Sequence, residues 1–83
     1  MNTLERIIEL FPDESFLVAN GFDDAVIGVV LEQPQRLLYS TQGILNTLME
    51  DGLTEEEAFE HFEYNIKGSY VGPQTPVYLY DLE

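Results

Sequence analysis

The one histidine of the chain lies among carboxylates that could belong to a metal or acid–base site. Glu57, Glu60 and His61 are spaced as Glu-x-x-Glu-His, which places Glu57 and His61 about one helical turn apart. The spacing is similar to an inverted zincin box, but glutamate replaces its first histidine and no further His or Cys follows. A single histidine on an acidic helix is usually solvated or half-buried. We therefore expect no metal and no cofactor here.

A second group of carboxylates follows the Asn-Gly-Phe sequence at residues 20–22. Asp23 and Asp24 lack the spacing and the closing glutamate of a calcium loop. We interpret them as turn residues whose oxygens accept hydrogen bonds from backbone amides before a strand. An alternative is a small metal-dependent or acid/base enzyme that uses four residues: Asp23, Asp24, Glu57 and His61. The sequence has no phosphate loop or nucleophile elbow, and we expect the protein not to be an enzyme.

Length and charge exclude several other classes of function. The 83 residues form one domain, residues 1–83, and 45% apolar content is enough for a core. Sixteen acidic and three basic residues give a net charge of −13, which opposes binding to nucleic acid and to anionic lipid. Residues 1–5 lack the basic start of a signal peptide. No apolar run approaches the ~20 residues of a membrane span, so we expect a cytoplasmic protein.

Apolar spacing and capping residues predict the element order α-β-β-α-α-β. The predicted elements are a helix capped by Thr3 and ended by Pro12, strands at 25–31 and 36–39, a helix capped by Ser40 or Thr41, a helix from Thr54 to about Lys67 that stops at Gly68, and a strand at 77–80. Residues 13–19 favour a loop or helical turn over a strand. The third helix is expected to bury four residues: Ala58, Phe59, Phe62 and Ile66. This order indicates a small α+β domain, with a three-stranded, mainly antiparallel sheet and about three helices on one face.

Two predicted strands are apolar on both faces. Residues 25–31 contain only apolar residues and glycine, and residues 77–80 are Val-Tyr-Leu-Tyr. A strand covered on one side usually alternates between apolar and polar residues, and three short helices cover one side only. We therefore expect a homodimer that covers the other side, with four interface candidates: Val77, Tyr78, Leu79 and Tyr80.

The acidic residues are concentrated between positions 50 and 63. This stretch contains seven carboxylates without a lysine or arginine, and helical spacing turns Glu56, Glu60 and Glu63 outward together. A field of one sign accelerates binding to a basic partner and selects for cationic surfaces. We predict a partner-binding surface made of Glu50, Asp51, Glu56, Glu60 and Glu63. The alternative is that the acidity reflects composition and has no specific partner.

Three sequence segments resemble a group of small, acidic bacteriophage proteins of unassigned function. They are GFDDAVIGV at 21–29, EEAFEHFEYNIKGSYVG at 56–72 and TPV at 75–77, and the resemblance extends over about residues 16–80. It implies a phage origin and an accessory role, and it brings no catalytic residues. Proteins of this kind often inhibit host enzymes or defence systems by direct binding, in some cases by imitating DNA.

The resemblance and the charge together lead to one functional hypothesis. We expect an inhibitor that binds a basic host protein, which is nucleic-acid-associated or ATP-dependent and belongs to a restriction or other anti-phage system. Imitation of DNA and simple charge steering both remain open. A structural or assembly module without independent activity is a further alternative.

Overall fold

The computed structural model describes residues 2–67 and 72–81. The elements are α1 (Thr3–Leu10), β1 (Val26–Val30), β2 (Arg36–Ser40), α2 (Thr41–Glu50), α3 (Glu55–His61) and β3 (Val77–Leu79). A 3₁₀ turn at Asp23–Ala25 leads into β1, and a π-helical segment at Phe62–Lys67 continues α3. The α+β class and the predicted element order are confirmed. The expected helix stop at Gly68 lies outside the described residues.

The two predicted caps of α2 and α3 are present. Thr54 Oγ1 accepts a hydrogen bond from the Glu57 amide at 3.1 Å, and Glu57 Oε1 accepts one from the Thr54 amide at 2.9 Å. This reciprocal pair is the expected capping box. Ser40 Oγ accepts a hydrogen bond from the Gly43 amide at 2.9 Å. Ser40 rather than Thr41 is therefore the cap of α2, and the helix begins directly where β2 ends.

The first helix begins one residue earlier than its predicted cap implies. Asn2 Oδ1 accepts a hydrogen bond from the Glu5 amide at 2.8 Å, so Thr3 is the first helical residue and not the cap. Asparagine is the stronger capping residue, and it has Glu5 three positions later to complete a capping box. The helix ends at Leu10, before Pro12, as expected. Residues 13–19 form neither helix nor strand.

The sheet is mixed, with β2 at its centre. β1 pairs with β2 in antiparallel orientation, and β3 pairs with the other edge of β2 in parallel orientation. The antiparallel pair of β1 and β2 was predicted. The parallel orientation of β3 was not, because the prediction was a mainly antiparallel sheet. The two helices between β2 and β3 supply the long connection that a parallel pair needs.

The core lies on one face of this sheet, around Tyr39. Tyr39 is fully buried, and its ring centroid lies 5.8 Å from that of Tyr78, which in turn lies 5.4 Å from the Phe62 ring. The Tyr39 hydroxyl accepts a hydrogen bond from the Ala19 amide at 2.8 Å. Burial raises the pKa of Tyr39, and the hydrogen bond from Ala19 opposes this shift. Tyr39 thus links the sheet directly to the loop before β1 and, through Tyr78, to the π-helical segment.

The other face of the sheet is apolar and partly open. Leu38 lies between Gly28 of β1 and Val77 of β3, on the side away from Tyr39 because strand neighbours alternate. Ile27 and Leu79 remain 46% and 45% exposed, and the three strands contain no acidic residue. Among the described residues, this face is therefore partly exposed, and its strands do not share the negative charge of the rest of the surface.

Replacing Tyr39 by Phe should lower the free energy of unfolding by ~1–3 kcal/mol near neutral pH, because the half-buried Ala19 amide loses its acceptor. The raised pKa of Tyr39 also has a consequence at high pH. Its contribution to stability is complete below the unfolded-state pKa of ~10 and is lost as pH rises through the folded-state value. Urea unfolding from about pH 7 to about pH 11 should therefore show a shallower alkaline decline for Tyr39→Phe.

The control for this variant is Tyr64→Phe, since the Tyr64 side chain is 82% exposed. It should match the native protein in both the neutral stability and the alkaline slope. Some slope should remain in the Tyr39→Phe protein because burial also raises the pKa of Tyr78. Identical alkaline slopes for the native and Tyr39→Phe proteins would contradict the assignment.

Candidate protein-binding surface

The acidic residues predicted to bind a partner lie at the surface, and they divide between two places. Glu56, Glu60 and Glu63 line cavities beside Phe59 on α3 and its π-helical continuation. Glu50, at the end of α2, lines a different cavity beside the turn that precedes β1. Asp51 is exposed next to it. The predicted surface is therefore centred on α3, and Glu50 and Asp51 belong to a second acidic region.

Phe59 is the main correction to the sequence analysis. It was predicted to lie in the core. Its side chain is instead 40% exposed, and it does not belong to the core cluster that contains Ala58 and Phe62. Ala58 and Phe62 are one helical turn apart and define the buried line of α3. Phe59 lies about 100° further around the helix from Ala58, at the edge of that line. Ile66, also expected in the core, packs against it only partly buried.

The exposed Phe59 ring forms one wall of a groove that we call the Phe59–Tyr80 groove. Its main cavity has a volume of about 380 Å³, and a smaller one of about 140 Å³ shares both Phe59 and Tyr80. Tyr80 is 63% exposed. The other residues that line the main cavity come from α2 and α3: Gln42, Leu45, Glu55, Glu56 and Glu60. Two aromatic rings and three carboxylates therefore meet at one surface depression.

Asp81 holds Tyr80 in this position. Its Oδ2 atom accepts a hydrogen bond from Ser40 Oγ at 2.5 Å, and its Oδ1 atom accepts one from the Gln42 amide at 3.0 Å. These hydrogen bonds lower the pKa of Asp81, and the carboxylate also lies at the positive end of α2. Because Leu79 is paired with Ser40 in the parallel register, the backbone of Tyr80 is held on both sides. The sequence analysis missed Asp81, since its partners are about forty residues away and depend on the parallel pairing.

In the described part of the chain, the lining of the main cavity contains no lysine or arginine, whereas Lys67 lines the smaller cavity. Lys67 Nζ lies 3.4 Å from both carboxylate oxygens of Glu63, the helical pair that the spacing predicts. Within residues 2–67 and 72–81 this is the single salt bridge. Glu55, Glu56 and Glu60 therefore present their charge to solvent or to a partner.

The four residues of the enzyme alternative lie in different settings. Asp23 and Asp24 line a cavity of about 340 Å³ whose lining includes neither Glu57 nor His61. Glu57 is engaged in the cap of α3, and His61 Nδ1 lies 3.5 Å from the side-chain nitrogen of Asn65. Across the described ranges, no three His, Cys, Asp or Glu side chains are grouped so as to hold a metal ion. No helix there is long and apolar enough to cross a membrane.

Replacing Asp81 by Asn should lower the free energy of unfolding by ~1 kcal/mol near neutral pH, because the N-terminus of α2 loses a charged acceptor. Since the pKa of Asp81 is lowered in the folded protein, its contribution is complete above the unfolded-state pKa of ~3.9 and is lost as pH falls through the folded-state value. The difference between the two proteins should therefore shrink in thermal unfolding at about pH 2.

The matched control is Asp51→Asn, which removes the same charge at the opposite end of α2. A negative charge is unfavourable at a helix C-terminus, so this variant should be neutral or slightly more stable. Equal destabilisation by both substitutions would show that the effect of Asp81 is one of total charge.

Comparison with known proteins found no match. No protein-family profile matches the sequence, and neither a curated protein nor a solved structure matches it at a significant level.

Proposed function

We propose that the protein acts by binding a basic partner protein through the α3 surface, which consists of Phe59, Glu56, Glu60 and Glu63. The observation that carries this proposal is an exposed aromatic ring flanked by carboxylates that have little local counter-charge. Aromatic residues are enriched among those that dominate binding energy at protein interfaces. Carboxylates around such a ring steer a cationic surface toward it and disfavour acidic partners.

The partner class follows from the sequence resemblance together with this surface. We propose that the partner is a host protein of an anti-phage system, nucleic-acid-associated or ATP-dependent, and that the phage-encoded protein inhibits it in the cytoplasm of the infected cell. Proteins that handle nucleic acid present clustered lysines and arginines to phosphate. A negatively charged surface competes for the same residues, whether by imitation of DNA or by steering alone.

The proposal is tested by replacing Glu56, Glu60 and Glu63 together by Gln. The fold should be retained with stability within a few tenths of a kcal/mol, because removal of the Glu56–Glu60 repulsion offsets loss of the Glu63–Lys67 pair. In a pull-down from host lysate, the native protein should retain one stoichiometric partner that elutes with salt, and the triple variant should lose it. Surface plasmon resonance with that partner should show a slower on-rate and a shallower salt dependence.

Two controls distinguish the effect of where the carboxylates lie from the effect of total charge and from acid–base or metal chemistry. The first control replaces the exposed residues Glu9 and Glu32 by Gln and the exposed Asp13 by Asn. It removes the same amount of charge from another part of the surface, and it should still bind the partner. His61→Ala should also bind, because no step depends on the imidazole. An active triple-Gln protein together with an inactive but folded His61→Ala protein would exclude the proposal and favour an acid–base or metal site.

We also propose that the protein is a homodimer through the open face of the sheet. Of the four interface candidates, Leu79 is exposed and Val77 half-buried on this face, whereas Tyr78 packs into the core and Tyr80 lines the groove beside α3. The face needs a cover, and its lack of acidic residues lets two strongly negative chains approach there. Leu38→Lys, on this face, should give a folded monomer in sedimentation. A native monomer at about ten micromolar would be evidence against the dimer.

A further inference from the structure

The Phe59–Tyr80 groove combines two chemical groups that rarely have the same ligand. Its two aromatic rings favour an apolar or planar group, and the carboxylates of Glu55, Glu56 and Glu60 favour a cation. An uncharged apolar ligand would desolvate these carboxylates without pairing them, which is costly. An anion would be repelled. The ligand that satisfies both walls is a cation with an apolar or planar body.

We infer that the groove takes an arginine side chain of the partner, an inference that rests on the proposed function. A guanidinium stacks on an aromatic face and donates paired hydrogen bonds to a carboxylate. It is also more weakly hydrated than the ammonium of lysine, so it leaves water at lower cost. A volume of about 380 Å³ lies at the small end of ligand pockets, which begin at ~300 Å³. That size suits one long side chain better than a helix.

The groove is built before the ligand arrives. The backbone of Tyr80 is held by the pairing of Leu79 with Ser40 on one side and by the hydrogen bonds of Asp81 on the other. On the facing wall, the cap at Thr54 sets the start of α3 and hence the positions of the glutamates that follow it. Preorganisation of this kind reduces the entropy lost on binding.

The test uses two peptides of equal length and charge, each with four arginines or four lysines separated by Gly and Ser. They are titrated into isotope-labelled protein, and the amide shifts of Phe59, Glu60 and Tyr80 are followed by NMR. We expect the arginine peptide to shift these amides with a dissociation constant about threefold to fivefold lower than that of the lysine peptide. In the double variant Phe59→Leu, Tyr80→Leu the two peptides should bind equally, with salt-dependent affinity from the remaining carboxylates.

The matched control is Tyr64→Leu, which removes an exposed ring that does not line the main cavity. It should keep the preference for arginine, and circular dichroism should show that all variants fold, since Phe59 and Tyr80 lie outside the core. Equal affinity of the two peptides for the native protein, or shifts confined to other regions, would overturn the inference. Shifts of the Phe59 and Glu60 amides on raising the protein concentration alone would also overturn it and assign the groove to a second copy.

Failure of this inference is distinguishable from failure of the proposed function. If the peptides bind α3 equally but the triple Gln variant loses the host partner, the surface binds basic proteins without an arginine-specific groove. If the arginine preference holds while no host partner depends on Glu56, Glu60 and Glu63, the inference of an arginine-binding groove is correct and the proposed function is wrong.

Discussion

The structure depends on the buried hydroxyl and ring of Tyr39 at the centre of the sheet. In a chain of 83 residues the core is thin, and one large side chain fills much of it. A buried tyrosine needs a partner for its oxygen, and the Ala19 amide supplies it, which fixes a loop that has no regular structure of its own. Through Tyr78 the same ring reaches Phe62, and so α3 is placed against the sheet.

The Phe59–Tyr80 groove follows from the parallel pairing of β3 with β2. Because the two strands run in the same direction, the residue after β3 arrives at the point where β2 passes into α2. Asp81 then accepts a hydrogen bond from the Gln42 amide in the first turn of α2, and Ser40 serves both as the cap of α2 and as a donor to Asp81. This arrangement carries Tyr80 to the side of α3, where it faces a ring that the helix does not bury.

Local patterns of sequence predicted what depends on local interactions. The caps at Ser40 and Thr54, the two strands of the hairpin and the α+β class all follow from residues close in sequence. Phe59 was placed wrongly because helical spacing indicates which residues share a stripe, not how wide a stripe a small sheet can cover. Asp81 was missed because a carboxylate has no sequence signal for a helix end that lies forty residues earlier. The acidity of α3 was visible, but the aromatic groove beside it required the tertiary structure.

Only part of the negative charge of α3 is explained by the stability of the fold. Glutamates in the first turn are favoured by the helix dipole and by the capping box, which accounts for Glu55 to Glu57. Glu60 lies beyond that turn and opposes Glu56 one turn away, at a cost of a few tenths of a kcal/mol. Neither Glu60 nor Phe59 contributes to the core. A charged group and an aromatic ring that the fold does not need, side by side at the surface, are what a binding site for a cationic partner requires.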